Sequence, residues 1–402
     1  MKMREVYIVD AVRSPIGRYK GALKSVRPDD LAALVIKGLL QRNPTVPAQE
    51  IEEVVLGNAN GAGEENRNVA RMVALLADLP IEVGGTTLNR LCGSGLDAVN
   101  YAARAIMIGE GDIFIAGGTE SMTRAPFVIG KPEVDFPRGN MEMLDTTIGW
   151  RFTNPKIEER YGADSMPQTA ENVAQKYGIS REEQDQFALQ SQMKAKMAME
   201  KKQFANEIIP IEVTDRRGNI TIVDMDEHPR PNTTIEGLQK LRPIFENGTV
   251  TAGNASGIND GASALLLMSG EKVKEFGLKP LGKYVVSAIA GLEPDVMGLG
   301  PIYASQKALA RAKLSINDIG LVELNEAFAS QSLECIHQLE LNPELVNVNG
   351  GAIAFGHPLG ASGARILTTL LHEMNRRADV QYGLATMCIG VGQGIATIVE
   401  KV

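Results

Sequence analysis

Residues 91–107 read LCGSGLDAVNYAARAIM, and residues 356–374 read GHPLGASGARILTTLLHEM. Each opens on a glycine-rich turn and passes into a helical pattern. In the first, Leu96, Val99, Ala102, Ala103 and Ile106 recur on one face, and the pattern ends near Gly109. The neighbouring segments repeat as well. VVLGNAN (54–60) is answered by VELNEAF (322–328), and GDIFIAGG (111–118) by YGLATMCIG (382–390). The order is the same and the offset stays at roughly 268 residues, which chance rarely produces. Two homologous halves are the simplest account. EVYIVDAVR (5–13), EVVLGN (53–58) and DIFIAGG (112–118) read as buried strands. Between the first two, a helix is predicted from Pro28 to about Leu40, with Asp29 and Asp30 in its first turn. Alternating strands and helices predict an α/β fold.

From about Thr123 to Gly248 the texture changes. Charge, Met and Gln increase, and a long helix is predicted after the capping box Ser180-Arg181-Glu182-Glu183. We expect an N-terminal half at 1–122, an inserted loop or cap domain at 123–248, a return to the first half at 249–275 and a C-terminal half at 276–402.

The chain has 402 residues, 44% of them hydrophobic, enough for a substantial core. No apolar run approaches the roughly 20 residues of a membrane span. MKMREVYIVDAVRSP alternates like a strand rather than a signal peptide, and VEKV carries no peroxisomal or lipidation signal. Cys92, Cys335 and Cys388 lie too far apart in sequence for a disulfide framework and suit a reducing compartment. A cytoplasmic protein with no membrane partner is the expectation. The net charge of −8 disfavours nucleic acid and anionic membranes. An anionic ligand would therefore need a local basic patch, for which Arg216–Arg242 is the candidate.

Three residues carry the candidate chemistry. Cys92 lies on a GSG-flanked turn into a helix, where the N-terminal partial charge is expected to lower the thiol pKa and glycines open access to sulfur. Of the four histidines, His228, His337 and His372 occupy positions suited to structural roles. His357 has glycines on both sides and lies just before the second repeat's helix. Cys388 ends the last buried strand before GVGQG, whose backbone N–H groups suit an oxyanion site. A zinc site is disfavoured, because no close ligand pair exists. One thiol and one base suffice for acyl transfer to water. A second thiol suits a second proton transfer, such as removing the weakly acidic proton beside a thioester.

The segments LNRLCGSGLDAVNYA, GGTESMTRAP, TVTAGNASGINDGA, ELNEAFASQ, NGGAIAFGHPLGASGARI and MCIGVGQG resemble the signatures of the thiolase family, in that family's order and across essentially the whole chain. The resemblance implies two duplicated βαβ-type halves in a five-layered αβαβα body with an inserted loop domain. It implies an acyltransferase with coenzyme A or acetyl-CoA as substrate and no permanently bound cofactor. By the same resemblance, Cys92 matches the acylated nucleophile, His357 its activator and Cys388 the acid or base at the substrate α-carbon. Asn325 matches the asparagine of a first oxyanion hole shared with His357, and the N–H groups of Cys92 and Gly390 match the second. Ala252, Ser256, Ala327, Phe328 and Arg230 match positions lining the pantetheine tunnel or the nucleotide end, and Met166 lies at the acyl end. The resemblance further implies a homodimer or homotetramer.

Two departures narrow it. Ser165-Met166 stands where biosynthetic acetoacetyl-CoA thiolases carry His-Met, and Val391 where many members have glycine. With GEENRNVAR (63–71), DTTIGWRF (145–152) and SMPQTAENVA (165–174), these features are most similar to the degradative branch, including β-oxidation enzymes of fatty acid metabolism, and particularly to 3-oxoadipyl-CoA thiolases. Related 3-oxoacyl synthases use Cys with two histidines, and Cys388 argues against one. A Cys hydrolase and a catalytically silent acyl-CoA-binding protein are the remaining readings. The silent protein would have little reason to keep all four of Cys92, Asn325, His357 and Cys388.

Overall fold

The computed structural model describes residues 3–402. Nine strands carry the architecture: β1 (Val6–Arg13), β2 (Glu53–Gly57), β3 (Gly84–Leu88), β4 (Ile113–Ser121), β5 (Asn259–Ser269), β6 (Gly282–Gly291), β7 (Ile319–Leu324), β8 (Tyr382–Ile389) and β9 (Gln393–Glu400). Their ladder runs β7-β8-β9-β6-β1-β5-β4-β2-β3, with the two-residue strand Gly17–Arg18 beside β5. β2 pairs in parallel with β3 and β4, and β7 pairs in parallel with β8; the other neighbours are antiparallel. Only Tyr7↔Lys283 and Ile8↔Gly282 join β1 to β6, so the ladder pinches there into two sheets.

The alternation of side chains along the strands divides the core into layers. In β4, Ile113 and Ile115 face one way, and Phe114 and Ala116 the other. In β5, Leu266 and Met268 oppose Leu265 and Leu267. The first set packs beneath the outer helices α1 (Pro28–Arg42) and α2 (Val69–Leu76). The second packs against two central helices, α3 (Ser94–Ile108) and α8 (Leu359–Arg376), whose far sides meet Met387, Ile389, Ile395 and Val399 of the second sheet. That sheet is covered outside by α6 (Gly300–Ala312) and α7 (Ala329–Gln338). The order is helix, sheet, helix, sheet, helix, as expected. Strands buried on both faces read as the near-continuous apolar runs seen in sequence.

The repeated pair quoted first becomes this central layer. α3 and α8 cross where glycines permit close approach: a Cβ added at Gly95 would lie 2.6 Å from the Gly360 carbonyl oxygen. Both functional turns therefore end up at one place.

The cap segment supplies α4 (Met166–Tyr177) and α5 (Arg181–Glu200). Ser180 and Glu183 form the predicted capping box. The cap is tied to β1 by buried Arg13, which pairs with Glu207 at 2.6 Å and bidentately with Asp226 at 2.6 and 2.9 Å.

Candidate active site

Cys92 occupies the turn between β3 and α3. Leu91 before it holds φ +46°, a left-handed conformation uncommon for a non-glycine residue, and Gly93 is the helix N-cap. Cys388 is the second-last residue of β8, and Asn325 follows β7 directly. His357 lies in the loop before α8 and is buried. Parallel pairing sets the ends of β7 and β8 side by side, and the Asn325 N–H donates to the Thr386 carbonyl at 3.0 Å.

The two cysteines meet across the halves. A Cβ at Gly93 would stand 2.6 Å from Ile389 Cδ1, so glycine lets the Cys92 turn press against the Cys388 strand. The backbone N–H groups of Gly390 and of Cys92 itself are directed at the Cys92 sulfur. These are the two donors that the family resemblance matches to the second oxyanion hole.

The expected lowering of the Cys92 pKa is not what the folded protein gives. Burial pushes the thiol up to about 11, against the smaller opposing pull of the Gly390 and Cys92 N–H groups. One helix end, short of Cys92 by two residues, does not offset desolvation. Burial raises the Cys388 thiol further, with Cys92 as a second cause. Cys335 is buried in α7 with its thiol donating to the Gly298 carbonyl at 3.4 Å.

His357 has its tautomer fixed by its neighbours. Ser362 Oγ donates its one proton to the Pro358 carbonyl at 2.9 Å, so it must accept from His357 Nδ1–H at 2.6 Å. Nε2 is left as the basic nitrogen, buried and without a partner among the described residues. Burial, with Arg365 nearby, depresses His357 to about 3, so it is neutral at pH 7. Asn325 is likewise buried with both side-chain atoms unpartnered. Orphaned polar groups in a native interior ask for a ligand or water.

The remaining predicted residues fall into two connected groups. Met166, Ala327 and Phe328 pack in one apolar cluster with Cys388, Met297 and Ala255. Ser256 adjoins it, its N–H donating to the Ala327 carbonyl at 2.9 Å. Arg230 and Ala252 line a surface groove with Gln192, Thr233 and Leu241. The run from Ala252 to Ser256 joins groove to cluster. Val391 holds φ +65°, a left-handed backbone that favours the glycine it replaces.

Several residues escaped the sequence reading. Glu120 of GGTESM is a buried carboxylate that accepts from the N–H groups of Ala59 (2.8 Å), Asn60 (3.2 Å) and Gly360 (2.8 Å). It thus fastens the loop after β2 to the first turn of α8, just beyond His357, and burial pushes its pKa up to about 7. Its signal was a charge at the end of an apolar strand. Asn259 accepts from the His357 N–H at 3.1 Å and contacts His228 Nδ1 at 3.3 Å. His228 lies in the Arg230 groove and is held neutral, its pKa lowered to about 4 by burial and by Arg230.

Family models for the thiolase N-terminal and C-terminal domains match residues 6–271 and 278–401. The chain belongs to the thiolase family. It is 56% identical, over the full length of both chains, to the 3-oxoadipyl-CoA/3-oxo-5,6-dehydrosuberyl-CoA thiolase of Escherichia coli K12. It is 48% identical to an acetyl-CoA acetyltransferase of Chromobacterium violaceum, covering 99% of this chain and all of the other. The crystal structure of human mitochondrial 3-ketoacyl-CoA thiolase in complex with CoA superposes with a TM-score of 0.92, at 40% identity over 100% of this chain and 99% of that one. This thiolase is therefore an acyltransferase that moves an acyl group between a cysteine thioester and coenzyme A. Its overall reaction is thiolytic cleavage of a 3-oxoacyl-CoA or the reverse condensation, and CoA is a substrate.

Proposed function

We propose that this thiolase cleaves 3-oxoadipyl-CoA, with CoA, to acetyl-CoA and succinyl-CoA. The observation that carries the catalytic assignment is a set of groups that lack a partner or face sulfur: the buried, unpartnered His357 Nε2 and Asn325 amide, and the N–H groups of Cys92 and Gly390 directed at the Cys92 sulfur. His357 Nε2 takes the Cys92 proton, and the thiolate attacks the 3-oxo carbon. The bond between C2 and C3 breaks, Cys388 protonates the departing carbanion, and acetyl-CoA leaves. In the second half, the Cys388 thiolate takes the proton of incoming CoA, whose sulfur attacks the acyl-Cys92 thioester. His357 returns its proton to Cys92. The Cys92 and Gly390 N–H groups stabilise the tetrahedral oxyanion, while Asn325, through a water, and protonated His357 stabilise the enolate oxygen. Arg230 in the groove meets the nucleotide end, Ala252, Ser256, Ala327 and Phe328 line the pantetheine path from groove to cluster, and Met166 closes the acyl end.

The substrate is favoured by the greater similarity to the 3-oxoadipyl-CoA relative than to the acetyltransferase. It implies a place in aromatic catabolism rather than in fatty-acid β-oxidation. Free cysteines support a cytoplasmic setting. The exposed Phe127, Val134, Phe136, Met141 and Met143 of the cap support a homodimer or homotetramer. The test is a kinetic panel of acetoacetyl-, 3-oxooctanoyl- and 3-oxoadipyl-CoA with free CoA. Highest kcat/KM on 3-oxoadipyl-CoA is expected, and preference for either monocarboxylic chain would overturn the substrate reading. Release of free acid in place of an acyl-CoA product would favour a hydrolase.

A further inference from the structure

The proposed reaction leaves a succinyl group on Cys92, and its free carboxylate lies only three carbon–carbon bonds from the thioester carbon. The surroundings of the thiols are apolar, with Met166, Met297 and Phe328 packed on Cys388. Moving a carboxylate there from water is costly unless a cation meets it. Most arginines near the site are already paired. Arg90 holds Asp97 at 2.8 Å, Arg124 holds Glu64 at 2.5 Å, and Arg13 is enclosed by Glu207 and Asp226.

Arg151, in the DTTIGWRF segment, differs. It is half-buried, and both of its hydrogen bonds go to neutral oxygens: Asn60 Oδ1 at 3.1 Å and the Thr146 carbonyl at 3.4 Å. Its segment is tied on two sides to residues that neighbour the candidate site. On one side, the Asn60 N–H bonds Glu120, whose other oxygen holds Gly360 in the first turn of α8. The adjacent Ala59 carbonyl accepts from Asn89, three residues before Cys92. On the other side, Trp150 Nε1 donates to the Asp164 carbonyl at 3.0 Å. Two residues further on, Met166 stands with its sulfur 3.7 Å from where a Cβ of Gly390 would be.

We propose that Arg151 receives the terminal carboxylate of a dicarboxylic 3-oxoacyl chain and thereby selects that substrate class. This inference rests on the 3-oxoadipyl-CoA reading above. The guanidinium offers a planar fork matched to a carboxylate, and its present partners are neutral oxygens that a carboxylate can replace.

The test compares 3-oxoadipyl-CoA with 3-oxohexanoyl-CoA, a chain of equal length ending in methyl, in the wild-type, Arg151→Gln and Arg151→Lys proteins. In Arg151→Gln, kcat/KM on 3-oxoadipyl-CoA is expected to fall by roughly 30-fold or more, as for loss of a charged hydrogen-bonded pair. On 3-oxohexanoyl-CoA it is expected to stay within about threefold, and Arg151→Lys is expected to recover part of the preference. Equal falls on both substrates would make Arg151 a merely structural residue and overturn the proposal. Undiminished preference for 3-oxoadipyl-CoA in Arg151→Gln would overturn it while leaving the substrate reading intact. If the wild-type enzyme shows no preference, both fall together.

Discussion

Cys92 and Cys388 are the same chemical group placed in two settings, and the proposed mechanism gives them different work. Cys92 has N–H donors around its sulfur and is proposed to be served by the basic nitrogen His357 Nε2; Cys388 sits in an apolar cluster, and burial raises both thiols. Cys388→Ala is expected to become acetylated by acetyl-CoA while losing thiolysis, condensation and deuterium exchange into the acetyl methyl group. Rapid acid quenching followed by intact-mass measurement checks the first point. Thiolysis surviving in Cys388→Ala would remove the second thiol from the mechanism. The resting pair is thiol and neutral imidazole, because Cys92 is raised to about 11 and His357 lowered to about 3. Only the thiolate is alkylated, and below the thiol pKa its fraction grows with pH. Iodoacetamide inactivation, scored as carbamidomethyl on the Cys92 peptide, is therefore expected to accelerate about tenfold per pH unit from pH 7 to 10. A plateau beginning near pH 6 would instead reveal a preformed thiolate–imidazolium pair.

At the scale of elements, the site depends on the crossing of α3 and α8 and on the loops that precede them. Buried Glu120 links the start of α8 to the loop after β2, whose Ala59 carbonyl in turn accepts from Asn89 in the loop before α3. Its Oε2 takes two N–H donors, from Ala59 and Gly360, and its Oε1 takes the Asn60 N–H and the Asn58 side-chain amide at 3.4 Å. Glu120→Gln would turn one of these oxygens into an NH₂ group facing two donors. Each buried donor left unsatisfied costs about 1–3 kcal/mol, so a loss of stability on the order of 2–3 kcal/mol is expected. The melting temperature and kcat should fall together, since Gly360 leads the helix that carries Ser362. A variant with wild-type melting temperature and reduced kcat would show that the carboxylate acts on the chemistry rather than on the loops.

For the whole molecule, the charge problem is one of placement. A chain of net charge −8 must bind the highly anionic CoA, and the groove with Arg230 is the proposed place where a local cation meets that need. Arg230→Ala is expected to raise the KM for CoA several-fold while kcat changes little, because the contact is common to ground and transition states. Added salt should raise the wild-type KM and affect the variant less. A fall in kcat at unchanged KM would remove Arg230 from the nucleotide end.

The sequence by itself determined the α/β class, the duplicated halves and the helix and strand positions around Cys92, and it singled out Cys92, His357 and Cys388 as the candidates for the chemistry proposed above. These are written in local periodicity, glycine placement and the roughly 268-residue repeat, which do not require distant contacts. Only the tertiary structure decided the protonation states, because burial is a property of the assembled layers: the helix end suggested an acidic Cys92 thiol, and desolvation reversed that. The roles of Glu120, Ser362, Asn259 and Arg151 were equally beyond local reading. Each acts through hydrogen bonds to its surroundings, and for Glu120, Asn259 and Arg151 the decisive partners lie far along the chain: Gly360 for Glu120, the His357 N–H for Asn259, and Asn60 for Arg151. For Ser362 the partners are close in sequence, yet it takes the folded loop to set which of them donates.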